Sequence, residues 1–250
     1  MDHAKTAAVS ACDGRWESGK VENGGDFFDC LSHELKTPIT AIKGFAELML
    51  EVELTEDERR QYLQVIIDEA ARLASLVNSA NLLAQLSGQS IAVKRSAYAL
   101  DEQLGRCLTL LSPSREKKGI LLTTRLEPVS CWADEELMRH VWLNLLDNAI
   151  KYTPEGGTVH ISSAQEGDMA VVQISDTGVG IPEEEQGRIF EKYYQRKTDR
   201  SGSGLGLGLF IVQRVLELCG GGVTVRSAAG QGSTFTVCLP AKAGALRLEP

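Results

Sequence analysis

Four groups of residues in this chain have types and spacings suited to handling phosphate. His33 and Thr37 stand one helical turn apart with Glu34 beside the histidine, which puts an imidazole, a carboxylate and a hydroxyl on one short stretch. Asn144, Asn148 and Lys151 recur at i, i+4 and i+7, so a helix carries them as one polar stripe. Two carboxamides and a cation in line suit phosphate oxygens and a hard ion such as Mg²⁺, which prefers oxygen donors and substrate phosphates. DTGVGIP, 176–182, places an acid at a strand end before glycines; the carboxylate of Asp176 can accept from an exocyclic amine while the glycines let a flat base approach the backbone. GSGLGLG, 202–208, then opens a helix, and a glycine-rich turn at a helix N-terminus suits a triphosphate. Taken singly, each group also has a plain structural account: a solvated surface histidine, an ordinary amphipathic helix, and flexible glycine loops. Lys192, Arg196, Lys197 and Arg200 suit phosphates and a solvated loop equally well.

The elements that must position these groups are legible from periodicity. From Phe28 to Val52, FDCLSHELKTPITAIKGFAELMLEV, two apolar rows repeat every seven residues: Phe28, Leu35, Ile42, Met49 and Leu31, Pro38, Phe45, Val52. His33 and Thr37 lie off both rows. Pro38 removes one backbone hydrogen bond and is expected to bend this helix, which runs from about Asp26 to Val52. Thr55 and Glu58 form a capping box for a second helix from about Glu56 to Ser87. Its rows are Leu63, Ala70, Val77, Ala84 and Ile66, Leu73, Ala80. A lone hairpin cannot bury both seams, whereas two copies make a four-helix bundle, so a homodimer through residues 26–87 is expected.

Beyond residue 88 the pattern changes. Helices are expected over Leu100–Lys118, from a cap at Asp134 to Lys151, and over Leu209–Cys219. Strands are expected at Ile120–Leu126, Thr158–Ala164, Met169–Ser175, Gly222–Ser227 and Ser233–Leu239. Two hairpin-like strand pairs among helices indicate an α/β sandwich rather than a parallel doubly wound sheet. Pro182–Gly208, charged and glycine-rich with little period, reads as a functional loop or lid. The expected organisation is a tail or linker over 1–25, a helical hairpin over 26–88, an α/β domain over 89–242 and a tail over 243–250.

Composition narrows the function classes. Hydrophobic content of 43% indicates a folded globular chain, and a net charge of −8 argues against general nucleic-acid binding. Six cysteines without a CxxC pair, or a histidine at metal-ligand spacing, support neither a zinc site nor a disulfide framework; reduced thiols in a cytoplasmic protein are expected. No run of about 18 apolar residues is present, so no membrane span is expected.

Read together, HELKTP (33–38), NLLDNAIKYT (144–153), DTGVGIP (176–182), IFEKYY (189–194) and GLGLGLFIV (204–212) resemble, in order, the H, N, first glycine, F and second glycine boxes of the sensor histidine kinases. The resemblance covers about residues 26–240. It implies a dimerisation and phosphoacceptor hairpin joined to an ATP-binding domain of the Bergerat type. It further implies that His33 is the phosphoacceptor, that Glu34 orients or deprotonates its imidazole, and that Asn148 holds Mg²⁺. Asn144, Lys151 and Tyr152 would line the nucleotide site, and Asp176 would read adenine with Gly178 and Gly180 packed near it. Gly204, Leu205, Gly206, Leu207 and Gly208 would close over the phosphates. The partner implied is a response-regulator receiver whose aspartate takes the phosphoryl group; Glu34 and Thr37 fit the E-x-x-T pattern that accompanies phosphatase activity towards it. The signal would come from a soluble or membrane-bound sensor. Cys219 departs from the family, which commonly has histidine there. The alternative is a nucleotide-binding dimeric scaffold or a Bergerat ATPase without histidine phosphorylation.

Overall fold

The computed structural model describes residues 24–87, 92–196 and 205–244. Gly204, Gly202, Lys197 and Arg200, both expected tails apart from the residues nearest the folded units, and Ile91 lie outside the described residues. The rest divides into two compact units: a helical unit with the segment 192–207, and an α/β unit.

The helical unit is a hairpin of α1 (Gly24–Glu51) and α2 (Glu56–Ser87). α1 continues through Pro38, which is buried. The turn uses the expected capping box: the Thr55 N–H donates to a Glu58 carboxylate oxygen at 2.8 Å and the Glu58 N–H to the Thr55 hydroxyl at 3.3 Å. The Thr55 hydroxyl, donating to the same carboxylate at 2.7 Å, and then the Thr55 N–H hold the Glu58 carboxyl below its usual range. Phe45 packs on Tyr62 with ring centroids 5.1 Å apart, pinning the two helices near the turn. Of the two apolar rows on α2, Ile66, Leu73 and Ala80 are half-buried, whereas Leu63, Ala70, Val77 and Ala84 are exposed.

The α/β unit is built on a five-stranded mixed sheet in the order β2–β4–β5–β7–β6, with β2 (Leu121–Leu126), β4 (Thr158–Glu166), β5 (Met169–Asp176), β6 (Gly222–Ser227) and β7 (Ser233–Pro240). β2 and β4 are parallel, as a helical crossover between them requires; the other three pairings are antiparallel. Burial alternates along β4, with Val159, Ile161 and Ser163 inside and His160 outside, so one sheet face takes the helices.

α4 (Glu135–Tyr152) packs against α3 (Leu100–Lys117), α6 (Gly208–Cys219) and β5. The Asp134 side chain accepts from the Leu137 N–H at 3.2 Å, capping α4 as expected. Trp142 is fully buried, its indole N–H donating to the Gln103 carboxamide at 2.7 Å. Gln103 in turn donates to the Glu135 carbonyl at 2.6 Å, so this buried polar pair is satisfied and ties α3 to α4.

Two features depart from expectation. A small antiparallel sheet joins β1 (Ser96–Ala99) to β3 (Ser130–Ala133), each too short for periodicity to show. The stretch after Pro182 is not all loop: α5 (Glu183–Gln186) forms one helical turn on three successive glutamates, which favour a helix N-terminus.

Candidate active site

The acceptor flank lies on α1. Leu35 and Pro38 turn towards the hairpin interior, which leaves His33 and Thr37 exposed. Among the described residues the His33 imidazole has no hydrogen-bond partner, so it is open to an incoming group. Glu34 is half-buried and accepts from the Arg72 guanidinium of α2 at 3.2 Å. The same guanidinium lies 3.7 Å from Glu69.

The asparagine stripe and the first glycine loop lie within the α/β unit, whereas Leu205, Gly206 and Leu207 fall in the segment grouped with the helical unit. Asn144 and Asn148 are half-buried on α4, and Lys151 is exposed with its ammonium 5.1 Å from the Tyr152 ring centroid. Asn144 donates to the His140 carbonyl at 2.8 Å, which fixes its amide with Oδ1 turned to the start of α6. A Cβ on Gly208 would come within 2.7 Å of that oxygen, so only glycine lets the α6 N-terminus close on the asparagine stripe. Among the described residues the Asn148 carboxamide has no hydrogen-bond partner. A carboxamide without a partner, one turn along α4 from the Asn144 that meets the α6 N-terminus, fits an oxygen-seeking divalent ion.

Beyond the C-terminus of α4, Asp176 closes β5 and accepts from the Gly178 N–H at 2.8 Å. Burial pushes its carboxyl above the ordinary range, and the N–H groups of Gly178 and Ser233 offset part of that. A Cβ on Gly178 would lie 2.6 Å from both Asp176 Oδ1 and the Tyr152 carbonyl, so the first glycine loop and the end of α4 touch. Gly180 has φ +65°, and a Cβ there would collide with the Ala228 carbonyl. Gly206, also at φ +65°, accepts from the Tyr193 N–H at 3.1 Å. Leu205 and Leu207, on either side of it, are buried.

Four supporting residues carry no motif signal. The Ser227 hydroxyl accepts from the Ile181 N–H at 2.7 Å and donates to the Gly232 carbonyl at 2.7 Å. Gln186 of α5 donates to the carbonyls of Ile181 and Ser227, so both hold the loop that follows Asp176. Gly232, at φ +77°, lets its strand approach the Asp176 carbonyl. Lys118 donates to the carbonyls of Ile150, Lys151 and Thr153 at 2.8, 2.8 and 2.6 Å, capping the C-terminus of α4. All four act through contacts distant in sequence, which spacing cannot reveal.

Residues 25–89 match the family described as "His Kinase A (phospho-acceptor) domain", and residues 133–243 match "Histidine kinase-, DNA gyrase B-, and HSP90-like ATPase". The circadian input-output histidine kinase CikA of Synechococcus elongatus is 36% identical over 90% of this chain and 31% of its own length. The chain spans between 31% and 43% of the curated relatives it matches most strongly. Full-length ShkA, solved with AMPPNP, is 32% identical with a TM-score of 0.63, covering 89% of this chain and 47% of that one. The mycobacterial sensor histidine kinase MprB is 30% identical with a TM-score of 0.53, covering 59% of this chain and 98% of that one. With both family models matched in the order the boxes require, this chain belongs to the sensor histidine kinases.

Proposed function

We propose that this chain is an ATP-dependent protein-histidine kinase that phosphorylates its own His33 and passes the phosphoryl group to an aspartate of a response-regulator receiver. The observation that carries this is the pairing, in one chain, of an exposed histidine next to a carboxylate with an α/β unit in which Asn144 meets the α6 N-terminus and the loop after Asp176 meets the end of α4. Asp176 would accept from the adenine amine. Asn148 would hold Mg²⁺, whose chemistry is to neutralise phosphate charge, while Asn144, Lys151, Tyr152 and the Gly204–Gly208 turn would line the triphosphate. One imidazole nitrogen attacks the γ-phosphorus as the bond to the β-bridging oxygen breaks and ADP leaves. Glu34 takes the hydrogen bond from the other ring nitrogen and stabilises the charge that develops on the ring.

Three further assignments belong to this proposal. The exposed row on α2 supports a homodimer. Glu34 and Thr37 support a phosphatase activity on the phosphorylated regulator. Buried Cys107, Cys131, Cys219 and Cys238, all free thiols, support a reducing cytoplasmic setting; no helix among the described residues is long and apolar enough to cross a membrane.

The deciding experiment incubates the purified chain with γ-labelled ATP and Mg²⁺ beside His33→Gln and Asn148→Ala. Acid-labile, base-stable label on the wild type and on neither variant is expected. ATP turnover with no such label would leave a Bergerat ATPase instead. Thr37→Ala is expected to label normally but to dephosphorylate the regulator more slowly; an unchanged rate would remove the phosphatase assignment.

A further inference from the structure

Successive residues on a helix point about 100° apart, so His33 and Glu34 cannot face the same way. The structure divides them accordingly: the imidazole is exposed, while the carboxylate is turned across the hairpin onto Arg72 at 3.2 Å. Arg72 uses its two terminal nitrogens on two different acids, one on Glu34 and the other 3.7 Å from Glu69. That second gap exceeds hydrogen-bond length, and the Glu69 oxygen involved is buried without a hydrogen-bond partner among the described residues. The arginine Nε is likewise buried and unbonded. The cluster is therefore unsaturated: if Glu34 leaves, Glu69 can close onto the guanidinium, and no buried charge is left alone.

We propose that Arg72 is a positioning residue for the phosphoacceptor. With Glu69 in reserve, it holds the Glu34 carboxylate on the α2 side, and phosphorylation requires Glu34 to exchange this guanidinium for the His33 Nδ1–H. Nδ1 is the ring nitrogen nearer the backbone, hence the one an adjacent side chain reaches; bonding it leaves the Nε2 lone pair as nucleophile. All three side chains of the cluster remain about a quarter exposed, so the bond being exchanged is weak enough to break during a catalytic cycle. Lys36 at i+3 and Asp29 at i−4 are the other charged residues within one turn of His33 along α1.

This inference rests on His33 being the acceptor, and its test is chosen to fail separately. Ring-nitrogen NMR of the histidine-labelled full chain, with the His33 signal identified from His33→Gln, reports the tautomer without any phosphoryl transfer. Arg72→Met is expected to move His33 towards the Nδ1–H tautomer and to raise the autophosphorylation kcat about fivefold, the scale of a partly exposed ion pair, with KM for ATP unchanged. In a Glu34→Gln background the same substitution is expected to move nothing, and Arg72→Lys, which keeps the charge, should stay near wild type. An unmoved tautomer in Arg72→Met, or an equal shift with Glu34→Gln, would overturn the assignment. So would a fall in kcat accompanied by earlier melting of the hairpin, which marks a structural tie. Absence of label on the wild type would sink the kinase reading while leaving the tautomer result to stand.

Discussion

A carboxylate assigned to recognise a base has to be held ready at some cost in stability, and Asp176 shows the cost. Its ionised form is disfavoured by burial, so its folded pKa lies above the ordinary 3.8. Between those two values the folded chain keeps a proton that the unfolded chain has released. The contribution is intact below 3.8 and is lost as pH rises through the folded value. Wild type is therefore expected to lose stability relative to Asp176→Asn as pH climbs from about 4 towards neutrality, visible as converging or crossing melting temperatures. The same variant should bind ATP about 10- to 100-fold more weakly, since it loses a charged acceptor. A constant melting difference at every pH would remove the burial argument. At this scale the proposed site residues are those whose type dictates chemistry, as in Asp176, Asn148 or His33. Ser227, Gln186 and Arg72 were not legible in the sequence, because their roles depend on partners brought close only by folding.

At the scale of elements, α4 carries the asparagine stripe of the proposed nucleotide site, and its two ends are fixed by different means. The N-terminal cap was readable, since Asp134 reaches the Leu137 N–H three residues on. The C-terminal cap was not, because Lys118 arrives from the end of α3. Removing that ammonium leaves three carbonyls without their shared charged donor beside Lys151 and Tyr152, which the proposed function places at the nucleotide. Lys118→Met is expected to cost about 1–3 kcal/mol of stability and to weaken nucleotide binding modestly, read by thermal melts with and without ATP. Unchanged melting would mean water replaces the ammonium fully. The five long strands and their hairpins followed from alternation and turn glycines. β1 and β3 escaped because four residues give too short a window for any period, and they pair across the whole of α3 and β2.

For the whole molecule, the helical unit does not satisfy itself. α2 buries Leu76, Leu83 and Leu86 and leaves a second apolar set open, with Leu63 44%, Ile67 58% and Val77 43% exposed. Side chains of this size are worth about 1.5–3 kcal/mol each when fully buried, so an open heptad row is a standing drive to associate. Of the two expected rows on α2, Ile66, Leu73 and Ala80 are half-buried, while the deeply buried Leu76, Leu83 and Leu86 lie on neither row. Which row is left open could not be read from the spacing, because both repeat every seven residues. In the proposed homodimer a second copy of the chain would offer the same row and close a four-helix bundle. Leu63→Glu with Val77→Glu places charges on that row without touching the buried stripe. The double variant is expected to sediment as a monomer at concentrations where wild type is a dimer, while the α/β unit still binds ATP. If both proteins sediment alike, the open row serves another partner and the hairpin stands alone. If dimerisation and His33 labelling are lost together, the second copy is part of the kinase itself.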